Sequence, residues 1–457
     1  MRLRDPIFHA AMLVVALAGP LAVRAADEAA PADTTASLLA ERDAAADRLD
    51  AAWRLLWSDR AREAVPLFRA WLATTAGRDD RAARRGLALA LSWSGQQDAA
   101  IALYRELSAA DPADREARLG LARSLIWDNR LREGWRGLRA LESSPGEPRD
   151  VGSFAITVLD GYDVPGQAGV DFCRDSDELE ILRVGARATW EAAPSRLVQA
   201  APSYRRYSQD GMPALTAWRL GAGLITPLAS TWSLHAHAWV DHLRSAEPVP
   251  GALDAGPLRW TSPGGDAWLT WHARSNLRLD LGANRQPLET ISALAREIAL
   301  AQGSLSTDWR LAPRWSLGAS CARGWYGDDN RRWLATARLL WRHEGRVALA
   351  AGPSFTWLDC DAPGSGYWSP DWMRNASLEA SAQTQGARWL VRAAGRLGRE
   401  TESGAEATTV GGWSARVGWR CAPGAYLALE GGHARSRLAS AGGYSRDFIG
   451  LALRGFF

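Results

Sequence analysis

The chain has 457 residues, a formal net charge of +3 and only four cysteines. Its length allows two domains, its small net charge gives no reason to expect nucleic-acid binding, and so few cysteines exclude a disulfide scaffold. All 54 strongly basic residues are arginines, and the 24 tryptophans are unusually many. Indole rings in this number suit a protein with long boundaries between lipid tails and headgroups.

The N-terminus has the pattern of an export signal. Two arginines precede an apolar run from Ile7 to Leu21, and Val23-Arg24-Ala25 then places small or apolar residues before a cleavage site. We expect a signal peptide over residues 1–25 and a linker over residues 26–36. A membrane anchor is the alternative, but the apolar run is short and is broken by Gly19-Pro20.

The next segment has helical periodicity and an internal repeat. Similar stretches begin at Trp57, Trp93 and Trp127, spaced by 36 and then 34 residues, which is the tetratricopeptide (TPR) period. We predict a short periplasmic TPR-like α-solenoid over residues 37–145, in which neighbouring helices bury their apolar faces and the three tryptophans pack at the turns. Its concave face would bind a peptide or another protein, or the array would be a spacer that caps the following domain.

From about Gly152 the apolar period changes to two, with turns after roughly every ten residues. We predict about sixteen antiparallel strands, the first near residue 152, that form a transmembrane β-barrel over residues 150–457. Long connections are expected after odd-numbered strands, at Gly161–Asp177, Arg244–Gly264 and Asp359–Asp371, with short turns after even-numbered strands. This asymmetry predicts that the helical repeats lie in the periplasm and the long loops outside.

Arginines recur on the polar side of the predicted strands. We expect them to line the pore, where rings of arginine would favour anions or acidic, hydrated polymers. A general polar lining, built with the basic residue that this chain uses throughout, is the equally supported alternative. These pore-lining candidates are Arg183, Arg187, Arg219, Arg274, Arg278, Arg338, Arg388, Arg392, Arg396, Arg416 and Arg420.

The sequence has no nucleophile motif, phosphate loop or metal-protease signature, so we expect no enzyme activity, catalytic residue, cofactor or metal. His235 and His237 share a strand face with Asp241, which makes a metal site conceivable. Residues two apart on a strand share a face by default, however, so this grouping is weak evidence for a metal. Cys173 and Cys360 are expected in outer loops, where an oxidising compartment would permit a disulfide between them.

The order of export signal, short repeat array and sixteen-strand barrel resembles the outer-membrane exporters of bacterial exopolysaccharide. These are the cellulose-secretion and poly-N-acetylglucosamine porins and the related YaiO-type barrel family. The large exporters carry many more repeats, so the shorter YaiO-type group is the nearer match. The matching segments are Leu91-Ser-Trp-Ser-Gly95, Leu125-Ile-Trp-Asp-Asn129, Trp325-Tyr-Gly-Asp-Asp-Asn-Arg331, Gly366-Tyr-Trp-Ser-Pro370 and the terminal Phe457.

This resemblance implies a passive polysaccharide conduit in the outer membrane of a Gram-negative bacterium. It implies that the partners are outer-membrane lipid, the barrel-assembly machinery, the polymer and a periplasmic protein of its biosynthetic complex, and that nucleic acid is not among them. It also assigns the insertion signal to the terminal aromatic residue, Phe457. The alternative from another class is a non-conducting surface or scaffold protein, or a receptor.

Overall fold

The computed structural model describes residues 34–58, 60–75, 77–143, 149–364, 366–436 and 445–457. The expected signal peptide lies outside these residues, as does nearly all of the expected linker. Within the described residues, no helix is both long and apolar enough to cross a membrane. The helices before the barrel are α1 (Thr34–Trp57), α2 (Ala61–Leu72), α3 (Arg81–Trp93), α4 (Gln97–Ala110), α5 (Arg115–Trp127), α6 (Leu131–Glu142) and α7 (Arg149–Gly161).

The 34-residue repeat appears in the packing of α1 to α6. Gly86 of α3 and Gly120 of α5 occupy equivalent positions. A Cβ on Gly86 would lie 2.6 Å from the Phe68 ring, and a Cβ on Gly120 would lie 2.4 Å from the Tyr104 ring. Glycine therefore lets one aromatic ring per repeat lie against the next helix. Helices α1, α3 and α5 each end on a repeat tryptophan, as expected.

The sequence predicted that the first strand begins near residue 152. That segment is instead helix α7. Its buried side chains include Val151, Ala155 and Val158, and their spacing of four and three places them on one helical face. The prediction of a strand was wrong here, because a short apolar run fits the helical period as well as the alternating one. The barrel starts at Gly166, and the expected boundary at residue 150 moves accordingly.

The barrel is closed, with sixteen antiparallel strands in chain order and β1 paired to β16, as the sequence predicted. The strands are β1 (Gly166–Asp175), β2 (Glu180–Ala193), β3 (Arg196–Gln209), β4 (Met212–Ala229), β5 (Trp232–Pro248), β6 (Pro257–Arg274), β7 (Leu277–Pro287), β8 (Ala299–Ala312), β9 (Trp315–Tyr326), β10 (Arg331–His343), β11 (Ala348–Cys360), β12 (Trp372–Gln385), β13 (Trp389–Glu402), β14 (Thr408–Ala422), β15 (Ala425–Arg435) and β16 (Ser445–Gly455).

Two of the three expected long loops are wrong. Segment Gly161–Asp177 contains β1, and Arg244–Gly264 consists mostly of the extended ends of β5 and β6. Alternation continues to the tips of these two strands, which contain 17 and 18 residues. The third expected loop, Asp359–Asp371, corresponds closely to the connection between β11 and β12.

The outer surface of the barrel is apolar and carries tryptophan towards both ends. Outward side chains such as Leu220, Leu281 and Leu397 are 59–70% exposed, which in water would be an unfavourable continuous apolar surface. Trp333 and Trp341 of β10 both face outward and bracket such a surface, as in the two aromatic girdles of membrane barrels. The exterior therefore matches a lipid environment, and charged residues are concentrated on the inner face.

Candidate functional site in the barrel lumen

Helix α7 lies inside one end of the barrel. We call this end the near mouth; it is the end where β1 begins at Gly166 and β16 ends at Gly455. Within α7, Ile156 and Leu159 are fully buried and belong to one apolar cluster with Leu197 of β3 and Leu390 of β13. These strands lie on different sides of the near mouth, so α7 fills part of the opening.

Polar contacts hold the C-terminal end of α7. The Asp160 carboxylate accepts from the Arg416 guanidinium at 2.6 Å and from the Tyr426 hydroxyl at 3.0 Å. Arg454 of β16 donates to the backbone carbonyl of Asp160, and at 2.6 Å to that of Tyr162. Arg454 of β16 thus satisfies carbonyls that the helix end leaves free, while Arg416 of β14 pairs with the Asp160 carboxylate.

The segment between α7 and β1 is tied to the neighbouring strands β2 and β3. The Asp163 carboxylate accepts from Arg187 at 3.2 Å and from the Gln199 amide at 2.9 Å. The Gln199 carbonyl oxygen lies 2.8 Å from His237 Nε2, and His237 Nδ1 lies 2.8 Å from Asp266. A hydrogen-bonded chain therefore joins this segment to β5 and β6. In the described residues no three ligating side chains are grouped to hold a metal.

The opposite end, or far mouth, is closed by the connection between β7 and β8, which contains a short helix, α8 (Ile291–Ala295). Glu289 of this connection crosses the lumen and lies 2.5 Å from Arg183 and 3.5 Å from Arg205. Burial alone would raise the pKa of Glu289, but these two guanidinium groups outweigh it and hold the pKa below its ordinary value. Residues 288–298, which are not among the long connections expected from the sequence, therefore fill the lumen at this end.

A second connection supports this closure. The Thr290 hydroxyl donates to the carbonyl of Gly366 at 2.7 Å. Tyr367 stacks on Tyr326 with ring centroids 4.6 Å apart, and its hydroxyl donates to Asp328 at 3.0 Å. The connection between β11 and β12 thus folds against α8, and both mouths are narrowed by segments of this chain.

Nine of the eleven candidate arginines lie at inward positions of their strands. Arg274 ends β6 beyond a register shift and pairs with the outward Leu277. Arg388 lies exposed in the turn between β12 and β13. The pattern could not place a residue at a strand end, where alternation stops. Trp389, Val391 and Ala393 face outward, as expected, while Arg392 and Arg396 face the lumen. Arg205 and Arg454 also face the lumen and were missed.

Acidic residues neutralise much of this arginine lining. Asp241 binds Arg219 with two hydrogen bonds of 2.8 and 2.7 Å, and Asp280 binds Arg278 at 2.8 Å. The excess of positive charge in the lumen is therefore smaller than the inward arginines alone indicate. Three of the neutralising groups, Asp160, Asp163 and Glu289, belong to the closing segments and not to the barrel wall.

A cavity of about 390 Å³ remains in the lumen between the two closures. Its charged lining is mostly basic, with Arg183, Arg187, Arg205, Arg219 and Arg416 facing Asp171 and Glu430. A cavity with this charged lining suits water, small anions or a short stretch of a hydrated polymer.

Helix α6 fixes the helical domain to the near mouth. The Glu142 carboxylate accepts from Arg420 of β14, and both side chains are nearly buried, at 7% and 8% exposure. Burial alone would raise the pKa of Glu142. The opposite effect of Arg420 and Arg139 is larger, so the pKa lies below its ordinary value. Trp135 stacks on Phe456 with centroids 4.5 Å apart.

Two further expectations concern cysteine and the terminus. Cys173 and Cys360 are free and lie on β1 and β11, which are six positions apart in the strand order. No disulfide can join them at that separation, and the loop placement was wrong because both residues belong to strands. Phe457 is 65% exposed and contacts Gly166 of β1; its role in insertion stays a prediction.

The acidic residues of the two closing segments, Asp160, Asp163 and Glu289, were not predicted from the sequence. Asp160 and Asp163 flank a short loop at the end of an apolar segment, and Glu289 lies in a connection that looked like an ordinary loop. An acidic residue in such a place has no local partner in the sequence. The one signal was the spacing of Val151, Ala155 and Val158 by four and three residues, and the alternation of Phe154, Ile156 and Val158 in the same run obscured it.

No protein-family model matches the chain, and no curated protein is similar enough to match. Among solved structures, it is similar to a bacterial polysaccharide outer membrane secretin, with 10% identity, 64% of this chain and 98% of that chain covered and a TM-score of 0.49. It is also similar to CdiB from Acinetobacter baumannii (9% identity, 63% and 59% covered, TM-score 0.40) and to a Rh. blastica porin (12%, 64% and 98%, 0.30). At these values the likenesses identify neither cargo nor mechanism.

Proposed function

We propose that this protein is a gated outer-membrane conduit that exports a hydrated polysaccharide, with α7 as the gate and the helical repeats in the periplasm. The apolar exterior supports a membrane location, and the polar, arginine-rich lumen supports a hydrophilic cargo. The sequence resemblance to YaiO-type barrels and to exopolysaccharide exporters supports the polymer class. The repeats would contact the polymer or a protein of its biosynthetic complex.

One observation carries the gate: the chain's own helix occupies the near mouth, where single ionic contacts hold its C-terminal end and the link that follows it. Asp160 and Asp163 supply the acidic groups, and Arg187, Arg392 and Arg416 of the wall supply the basic ones. Such pairs form and break with little change in the barrel itself, which suits a movable element. The short link of residues 162–165 would keep the released helix beside its mouth.

The gate makes the first prediction. Replacing Asp160 and Asp163 together by alanine should release α7 and increase ion conductance in planar bilayers by about tenfold or more, since each lost charged contact is worth roughly 1.5–3 kcal/mol. The matched control replaces Asp308 and Glu379, two inward carboxylates of the wall, and should conduct like the parent protein.

Equal conductance of the two double variants would remove α7 as the gate. The narrowing at both mouths also favours a second candidate, a non-conducting scaffold or receptor. If the gate variant stays closed even after residues 288–298 are shortened, and cells lacking the protein secrete polymer normally, the scaffold function replaces the conduit.

A further inference from the structure

Two tryptophans of the helical domain are exposed to solvent. Trp57 is 66% exposed and Trp93 is 39% exposed, so the expectation that they pack inside the turns is wrong. Their rings meet edge to face with centroids 5.8 Å apart, and Trp53 stacks on Trp57 at 6.3 Å. Trp57 and Trp93 thus form a small exposed aromatic surface, and Trp53 supports it from behind, with its ring edge to face on Phe68 of the domain core at 5.0 Å.

This surface lies directly at the near mouth. Shortly after Trp57, the Arg62 guanidinium donates to the carbonyl of Ala273 at the end of β6, at 3.3 Å. Two residues after Trp93, Gly95 packs on Ser230 in the turn between β4 and β5. The turns that follow the tryptophans therefore rest on the rim of the β4–β6 wall.

The repeat fixes the side to which the rings belong. Trp127 ends α5 as Trp57 ends α1 and Trp93 ends α3, and equivalent positions in a solenoid share one face. Trp127 packs edge to face on Phe154 of α7, with ring centroids 6.5 Å apart. Its partner is thus the element inside the lumen, which places the shared face on the side of the opening.

The aromatic path continues inside the barrel. Trp268 of β6 occupies an inward position opposite His235, between Asp266 and Thr270, and is 40% exposed. It lies six residues from the end of β6 at Arg274, or about 20 Å along the strand. The direct contacts of α7 described above lie on β3 and on β13 to β16, and only the hydrogen-bonded chain through Gln199 and His237 reaches this wall, at Asp266. The exposure of Trp268 shows that its ring stays open to the lumen beside that chain.

We propose that Trp53, Trp57, Trp93 and Trp268 form a carbohydrate-binding track that guides a sugar polymer from the helical domain along the β5–β6 wall. Sugar rings present one face of C–H groups, which packs on an indole face while their hydroxyls stay hydrated. Open rings spaced along a route into a polar lumen match that chemistry. This inference rests on the proposed conduit and names the surface that receives its cargo.

The test measures binding of cellohexaose, chitohexaose and an oligogalacturonate to the full-length protein in detergent, by calorimetry. We expect at least one of these oligosaccharides to bind the parent protein. The variant Trp57→Ala with Trp93→Ala should bind it about tenfold more weakly or worse, and Trp268→Ala should weaken it separately. The matched control Trp389→Ala removes an exposed tryptophan of similar size from the lipid-facing surface, and it should bind like the parent.

Unchanged affinity in the track variants, or no binding of any of the three oligosaccharides, would overturn the track. So would a membrane role for the rings, seen as quenching by brominated lipids that is lost in the Trp57→Ala, Trp93→Ala variant. Barrel closure is checked by the gel shift between heated and unheated samples. Because conductance of the gate variant is measured separately, the track can fail while the conduit stands.

Discussion

At the scale of single residues, Glu142 shows how one carboxylate joins the helical domain to the barrel. Its acceptors face Arg420 from β14 and Arg139 from its own helix. The surroundings are nearly closed to water, so these contacts are screened less than those on the surface. The pair could not be predicted from sequence, since its members are 278 residues apart.

Replacing Glu142 by glutamine should lower the stability of domain docking by about 3–5 kcal/mol, because Arg420 keeps its buried charge without a partner. Thermal melting of the helical signal checks this. The matched control Glu133→Gln breaks the exposed contact with Arg105 and should cost about 0–1 kcal/mol.

Acid should have the same effect as the substitution. The folded pKa of Glu142 is lowered, so its contribution is present above the ordinary carboxyl pKa of about 4.3 and is lost as the pH falls below it. Docking should therefore weaken below about pH 4 in the parent protein and much less in the Glu142→Gln variant. A parallel acid response in both proteins would contradict this assignment.

At the scale of elements, the repeats depend on glycine at one position per helix pair. Gly120 faces the Tyr104 ring at a distance that leaves no room for a methyl group, while a Cβ on Gly137 of α6 would meet Ala122 at 3.5 Å. Glycine therefore has opposite effects on stability in α5 and α6. Gly120 is required by the packing of the Tyr104 ring, whereas Gly137 only adds the conformational cost of a glycine within a helix.

These two glycines provide a matched pair. Gly120→Ala should destabilise the solenoid by about 1–3 kcal/mol through overpacking, whereas Gly137→Ala should stabilise it by up to about 1 kcal/mol through helix propensity. Denaturant unfolding followed by far-ultraviolet circular dichroism checks both. Equal effects of the two substitutions would mean that the close ring contact does not limit this repeat.

At the scale of the whole molecule, local periodicity predicted the architecture well. Alternation identified a sixteen-strand barrel, its inward arginines and its outward tryptophans, because every strand faces lipid on one side and water on the other. It failed where an element has neither environment. Helix α7 is surrounded by the barrel wall, and its short apolar run fits a strand as well as a helix. Arg392 and Arg416, the ionic partners of Asp160, are more than 200 residues away in the sequence.

The balance of charge in the lumen should depend on the gate. With α7 in place, Asp160 and Asp163 neutralise inward arginines; without them, the wall is more positive. We therefore expect anion preference in the Asp160→Ala, Asp163→Ala variant. Adding Arg392→Glu and Arg396→Glu should lower its anion-to-cation permeability ratio by about twofold or more, as measured by reversal potentials.

The control for this change is Arg388→Glu, which alters the charge by the same sign in the exposed turn next to β13. It should leave the ratio nearly unchanged, because its charge is screened by solvent outside the lumen. If Arg388→Glu shifts the ratio as much as the luminal pair does, the charge near the entrance and not the lining controls selectivity.

The position of Arg454 has a consequence for biogenesis. This residue clamps the carbonyls at the end of α7, yet it belongs to β16, the last barrel strand in chain order and the one that meets β1 at the seam. A partly inserted barrel has no completed seam and therefore no clamp. Leakage through a nascent pore should thus end only when the final strand pairs, so that sealing of the membrane and completion of the barrel become one event.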